Sequence, residues 1–167
     1  VDAIHPIANG LDLLASPSGV LGLEELSEMN RNHLFFEFES IIDRYDLLLI
    51  DHSSGIHWNV LQFAAASHQH VVVTTCEPSS YTDAYAIIKI LLKRFQIREF
   101  QIIATMSHHV PETERVLERF QEVVWNQLGI QIQVLGILPW DLRFSESVKK
   151  QKAFVDLYPH VDFTARL

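Results

Sequence analysis

The stretch Leu47-Leu48-Leu49-Ile50-Asp51-His52-Ser53-Ser54-Gly55 runs four apolar residues straight into an aspartate, and a glycine follows four positions later. An unbroken apolar run of this length reads as a strand buried on both faces, which belongs in a parallel sheet covered by helices. The carboxylate then emerges at the carboxyl end of the strand, where open α/β sheets bind their ligands. In nucleotide hydrolases with a phosphate loop, an aspartate so placed holds the water shell of Mg²⁺, and the glycine lets backbone approach the last phosphate. The same letters also spell a core strand ending in a helix-capping aspartate, so the choice rests on context.

On either side of this stretch, strand-like runs alternate with segments of helical period. Residues 11–15 read as a short strand, followed by a loop at Ser16-Pro17-Ser18-Gly19. From 30 to 44, Leu34, Phe38, Ile41 and Tyr45, joined by Phe35 and Ile42, keep helical spacing. A helix over 57–66 has Val60, Leu61 and Ala64 on its apolar face. Val71-Val72-Val73-Thr74-Thr75 is β-branched throughout and predicts another buried strand. Ser80 or Thr82 can cap the next helix, whose stripe is Ala84, Ile88, Leu91, Leu92 and Phe95.

A strand over 102–106 follows. Pro111 then precedes a helix with Val116, Phe120, Val123, Val124 and Leu128 on one side, stopped by Gly129. The last strand spans 131–138 and closes at Pro139; a short basic helix over 145–152 and a poorly patterned tail complete the chain. This alternation predicts a single α/β domain over residues 1–167, a doubly wound, mainly parallel sheet with helices on both faces.

Composition narrows the function classes. With 48% of its 167 residues hydrophobic and 20% charged, the chain is a folded protein with a real core. A formal net charge of −8 argues against binding nucleic acid through its phosphates. One cysteine excludes an internal disulfide and fits a reducing cytoplasm. No apolar run approaches the roughly 20 residues of a membrane span. Val1-Asp2-Ala3-Ile4-His5 has neither the basic region nor the apolar stretch of a signal peptide. It has no initiating Met either, as expected of a chain that begins inside a longer polypeptide.

A second informative segment, Thr74-Thr75-Cys76-Glu77-Pro78-Ser79-Ser80-Tyr81-Thr82-Asp83-Ala84-Tyr85-Ala86, leaves a strand, turns through Pro78 and enters a helix. Free N–H groups at such a turn can hold an anion or a nucleotide edge; an ordinary capped loop is the plainer alternative. His68 and His70, and the adjacent His108 and His109, lack the companion carboxylate or thiolate of a metal site and read as exposed loop histidines. Cys76, with no neighbouring cation in sequence, reads as a small buried thiol.

Together these segments resemble the MinD/ParA group of deviant Walker ATPases, and most of all its FlhG branch, also called FleN or YlxH, which regulates flagellar number and placement. Members of that branch carry YD, two apolar residues and IDTGAGI, matched by Tyr45-Asp46-Leu47-Leu48-Leu49-Ile50-Asp51-His52-Ser53-Ser54-Gly55-Ile56. They carry TTPEPTSLTDAYALIK where this chain runs from Thr74 to Lys89. Leu14-Ala15-Ser16-Pro17-Ser18-Gly19-Val20 sits where the family has an IPASSG loop, and Leu135-Gly136-Ile137-Leu138-Pro139-Trp140-Asp141 is similar to its LG-x-IP-x-D.

The resemblance implies a MinD-like P-loop NTPase fold that binds ATP and Mg²⁺. It gives Asp51 the metal's water shell and Gly55 the approach to the γ-phosphate. Glu77, Pro78 and Ser79 would shape the turn beside the nucleotide, while Leu138, Pro139 and Asp141 would flank the base. It further implies a nucleotide-dependent homodimer, flagellar or polar-assembly partner proteins, and a cytoplasmic location, peripheral at the inner membrane or cell pole. The segment over 147–154 has only Val148 and Phe154 as apolar anchors, which does not support membrane attachment.

The chain departs from the family in three places. It holds no Gly-rich loop followed by Lys-Ser or Lys-Thr, so it is incomplete at its N-terminal side and is expected to be inactive as an ATPase alone. Thr105 stands where the family reads adenine with an Asn, and His52-Ser53 replace Thr-Gly. In the family the phosphate-loop strand lies between those matching residues 47–51 and 71–75. Its absence would leave two rows of backbone groups unpaired, which favours a fragment of a longer chain, or a gap closed by rearrangement or by a partner strand. Two other readings stay open: a non-catalytic interaction module on a degenerate ATPase scaffold, and a ParA/MinD-type regulator of division or partitioning.

Overall fold

The computed structural model describes residues 4–8, 10–14 and 28–161. The chain divides into two compact units, Val1–Asp51 and His52–Leu167. In the first, β1 (Ile4–Ala8) and β2 (Leu11–Leu14) form an antiparallel hairpin, and α1 spans Glu28–Ile42. The hairpin turn holds Gly10 at φ 75°, a left-handed conformation that glycine adopts without steric cost. The expected strand over 11–15 and helix over 30–44 are thus present as β2 and α1. The loop Ser16-Pro17-Ser18-Gly19, and residues 15–20 of the IPASSG-like stretch, lie outside the described residues.

The main correction concerns residues 47–51, which form no strand, with Leu47 77% and Leu49 86% exposed. Apolar character supplies a preference for a buried strand. The strand itself exists only through hydrogen bonds to a neighbour, and no ladder includes these residues.

The second unit begins with α2 (Trp58–Ala66) and continues β3 (Val71–Thr75), α3 (Pro78–Phe95), β4 (Phe100–Ser107), α4 (Val110–Leu128) and β5 (Ile132–Pro139). It ends with α5 (Leu142–Lys150) and α6 (Phe154–Leu157). The three strands form a parallel sheet in the order β3-β4-β5, so the α/β class and the incomplete sheet agree with the sequence reading. Parallel neighbours need a crossover, and α3 and α4 provide it. One face of β4, with Phe100, Ile102 and Ala104, is buried in a cluster with Ala84, Ile88, Leu91 and Leu92 of α3 and Leu117, Phe120 and Val124 of α4. Leu61 and Ala64 of α2 join the same cluster.

β3 is not buried on both faces. It is an edge strand, and its Val71 and Val73 are exposed.

The helices begin and end for local reasons. Pro78 occupies the first turn of α3, where its missing N–H costs nothing. Gln96 closes that helix in the left-handed conformation, and Lys93 and Arg94 suit the negative end of its dipole. Pro111 and Gly129 bound α4 as expected. Its buried stripe, however, is Thr113, Leu117, Phe120 and Val124, whereas Val123 faces solvent and Val116 is half-buried. The tail is also better ordered than its pattern suggests. Phe154 of α6 is buried with its ring stacked on Phe144 at 4.5 Å, and Tyr158 donates a hydrogen bond to Glu146.

Candidate functional site

In the second unit the carboxyl ends of the strands gather the chemistry. Register pairs Thr75 with Thr105 and Ser107 with Pro139, and Trp140 N–H donates to the Ser107 carbonyl at 2.9 Å. Behind this rim lies a chain of hydroxyl and thiol groups. Ser107 Oγ and Thr113 Oγ1 are 2.7 Å apart, and Cys76 Sγ lies 3.0 Å from the same Thr113 oxygen. Thr74 and Ser80 share a 2.9 Å hydrogen bond, and Ser80 Oγ accepts the Thr75 N–H at 3.0 Å. The Cys76 thiol is therefore part of a polar cluster and only half-buried. Ser107 and Thr113 each avoid the cost of an unpaired buried hydroxyl by bonding to each other. Nothing in the sequence spacing of Cys76, Ser107 and Thr113 announced this cluster.

Neither Ser80 nor Thr82 caps α3. Ser80 ties the helix back to β3, Thr82 donates to the Pro78 carbonyl, and the N-cap position falls to Glu77, whose side chain makes no capping bond. The first turn of α3 therefore presents Ser79 and Ser80 N–H groups without a side-chain cap, beside exposed Glu77 and Pro78. Gly55 has φ 106°, and an added Cβ would meet the His57 ring at 3.2 Å, so a glycine is required there on local grounds alone.

On the other side of the rim, Thr105 Oγ1 donates to the Thr74 carbonyl at 3.2 Å. Leu138 and Pro139 are half-buried at the end of β5. Asp141 is the N-cap of α5. It accepts the Arg143 N–H at 2.8 Å, and both its oxygens bond the Arg143 guanidinium. Those bonds from Arg143 hold the Asp141 carboxyl below the usual carboxylate range. The cap is complete above that range and is lost as pH falls through the lowered value.

Asp51 closes the first unit, exposed and without a hydrogen bond or ion pair among the described residues. Its carboxylate by itself has the chemistry to meet a metal's water shell. Among the other predicted residues, Thr105 and Asp141 have their side-chain polar groups bonded to protein partners.

The histidines are structural or exposed. His70 Nε2 lies 2.7 Å from the Ala64 carbonyl and its ring lies against Phe100, while His108 rests on Trp140. Among the described residues, no three His, Cys, Asp or Glu side chains converge as metal ligands. Nor is any described helix long and apolar enough to cross a membrane.

Tyr81 of α3 lies behind the rim, with its ring against Phe120. Its hydroxyl is buried without a hydrogen-bond partner among the described residues, and burial first, then the neighbouring Cys76, push its pKa up to about 12. Tyr81→Phe is expected to stabilise the protein by about 1 kcal/mol, because an unsatisfied buried hydroxyl costs that much or more. A Tyr whose pKa is raised on folding loses stability as pH climbs from its unfolded value of 10.0 to about 12. Urea melts across that window should show a decline in the parent that is blunted in Tyr81→Phe. A lower midpoint for the variant at neutral pH would contradict the assignment.

No family model matches the chain. It is 31% identical over 150 residues to the antiactivator FleN of Pseudomonas aeruginosa, an alignment covering 90% of this chain and 54% of that protein. It is 29% identical over 160 residues to the flagellum site-determining protein YlxH of Helicobacter pylori, covering 95% of this chain and 54% of that one. The chain thus spans about half the length of the curated relatives it matches.

Proposed function

We propose that this chain, which belongs to the FlhG/FleN/YlxH branch of the MinD/ParA group, is the part downstream of the phosphate loop in a regulator of flagellar number or placement. One observation carries the reading: nearly the whole chain aligns with two proteins from two organisms, the antiactivator FleN and a protein named as flagellum site-determining, YlxH. ATP and Mg²⁺ belong to the proposal as ligands of a complete protein that includes a phosphate loop. In that protein Asp51 would order the metal's water shell and the α3 N-terminus would lie beside the nucleotide, with a nucleotide-dependent homodimer as the output.

The test has two arms. Cells lacking the gene should show altered flagellar number or position by electron microscopy, restored by the full-length gene; unchanged flagella would overturn the role. Isothermal titration of the 167-residue protein with ATP and Mg²⁺ should give no binding heat, and micromolar affinity would overturn the requirement for a phosphate loop. A second reading, a non-catalytic interaction module that contacts flagellar or polar-assembly proteins, draws support from Thr105 and Asp141, whose polar groups are both spent within the fold.

A further inference from the structure

We propose that the groove between α4 and the outer edge of β5 docks an extended protein segment in which apolar and basic side chains alternate. This goes beyond the flagellar reading and does not depend on it. Among the described residues β5 pairs only with β4, so its far edge has no strand partner there. At one end the edge is closed by Gln121, whose Nε2 donates to the Ile132 carbonyl at 2.9 Å. Beyond that bond a groove of about 370 Å³ runs between the two elements. Val110 and Leu117 of α4 face Val134 and Ile137 of β5 across it, and Glu114 and Glu118 stand along the helix side.

Gly136 leaves the floor of the groove bare. No atom lies within 4 Å of where its Cβ would sit, and its backbone is not in the left-handed region, so the conformation does not demand a glycine. What the glycine supplies is room for another chain to approach closely. The ladder register shifts beside Leu135, which is turned outward and exposed.

Charge selects the occupant. Glu114, Glu118 and Glu122 follow one another at four-residue spacing on α4, an arrangement in which like charges repel. Arg115 and Arg119 stand between and beside them on the helix, but neither Glu114 nor Glu118 has a hydrogen bond or ion pair among the described residues, so both carboxylates are available to a partner. A cationic side chain would relieve the repulsion, and the net charge of −8 favours the approach of a basic partner. The apolar walls require the partner to carry apolar side chains as well, and an open strand edge accepts an extended chain. Acidic segments and nucleic acid are repelled by the same two carboxylates.

The probe is a fluorescein-labelled Val-Lys-Val-Arg-Val-Lys peptide, with Val-Glu-Val-Asp-Val-Glu as its counterpart, followed by anisotropy at low ionic strength with the whole chain. The basic peptide should bind at least about tenfold more tightly than the acidic one. Glu114→Lys with Glu118→Lys changes two exposed residues, and Gly136→Val fills the floor. Each change should weaken binding about tenfold or more while circular dichroism stays that of the parent. Asp83→Lys with Glu99→Lys makes the same change in net charge elsewhere and should leave binding intact. An equal loss in that control would reduce the effect to bulk charge and overturn the proposal. Undiminished binding by Gly136→Val would overturn it as well.

Discussion

Ile88→Ala is expected to cost about 3–4 kcal/mol of unfolding free energy, a large share of the roughly 5–15 kcal/mol that holds a domain together. Ile88 is fully buried on α3, in the same cluster as Ile102 and Ala104 of β4 and Leu91 and Leu92 of its own helix. Removing three carbons there forfeits their transfer free energy and leaves a cavity that the sheet cannot collapse to fill. Urea titration followed by circular dichroism measures the loss. The matched control is Val123→Ala, at a residue 48% exposed on the outer side of α4, where a change within about 0.5 kcal/mol is expected. The pair also tests the revised stripe of α4, since the spacing of apolar residues alone puts Val123 in the core. Comparable losses in both variants would contradict the burial pattern.

Asp51→Ala in the full-length protein is expected to abolish control over flagella while leaving the fold untouched. The carboxylate is exposed and makes no bond to a described residue, so its removal should change stability by no more than about 0.5 kcal/mol. Circular dichroism and urea melts of the full-length variant, expected to match the parent, separate a loss of function from a loss of fold. If the group orders a metal's water shell, ATP hydrolysis by the full-length protein should fall on the order of 10- to 100-fold, the scale seen when outer-shell metal partners are lost. Cells whose only copy carries the variant should match the deletion strain in flagellar number and position. Full restoration of flagella by Asp51→Ala would instead favour the non-catalytic interaction module.

The helices of the second unit were largely readable in advance because their signals are local. The stripe of α3 through Ala84, Ile88, Leu91 and Leu92, the Pro at the start of α4 and the Gly after its end all act within a few residues of where they stand. The β-branched run of β3 was equally plain. Harder were choices between locally equivalent partners. Ser80 has the chemistry of a cap, but the Thr75 N–H lies within its reach and takes it. Thr113 carries no signal in the sequence, and only the fold sets Ser107 and Cys76 beside it. Phe154 had no pattern around it, and its role comes from Phe144 on the preceding helix.

Sequence alone thus determined the alternation of helices and strands from residue 57 to 150, the parallel α/β class and the kinship, since these rest on short-range periodicity and contiguous motifs. Only the tertiary structure decided which apolar run becomes a strand and which polar side chain is left available. Residues 47–51 and 71–75 have similar strand preferences, yet only the second pairs, because a strand is completed by a neighbour's backbone. Thr105 and Asp141 are committed and Asp51 is not for the same reason: a hydrogen bond needs a second group, and folding supplies it.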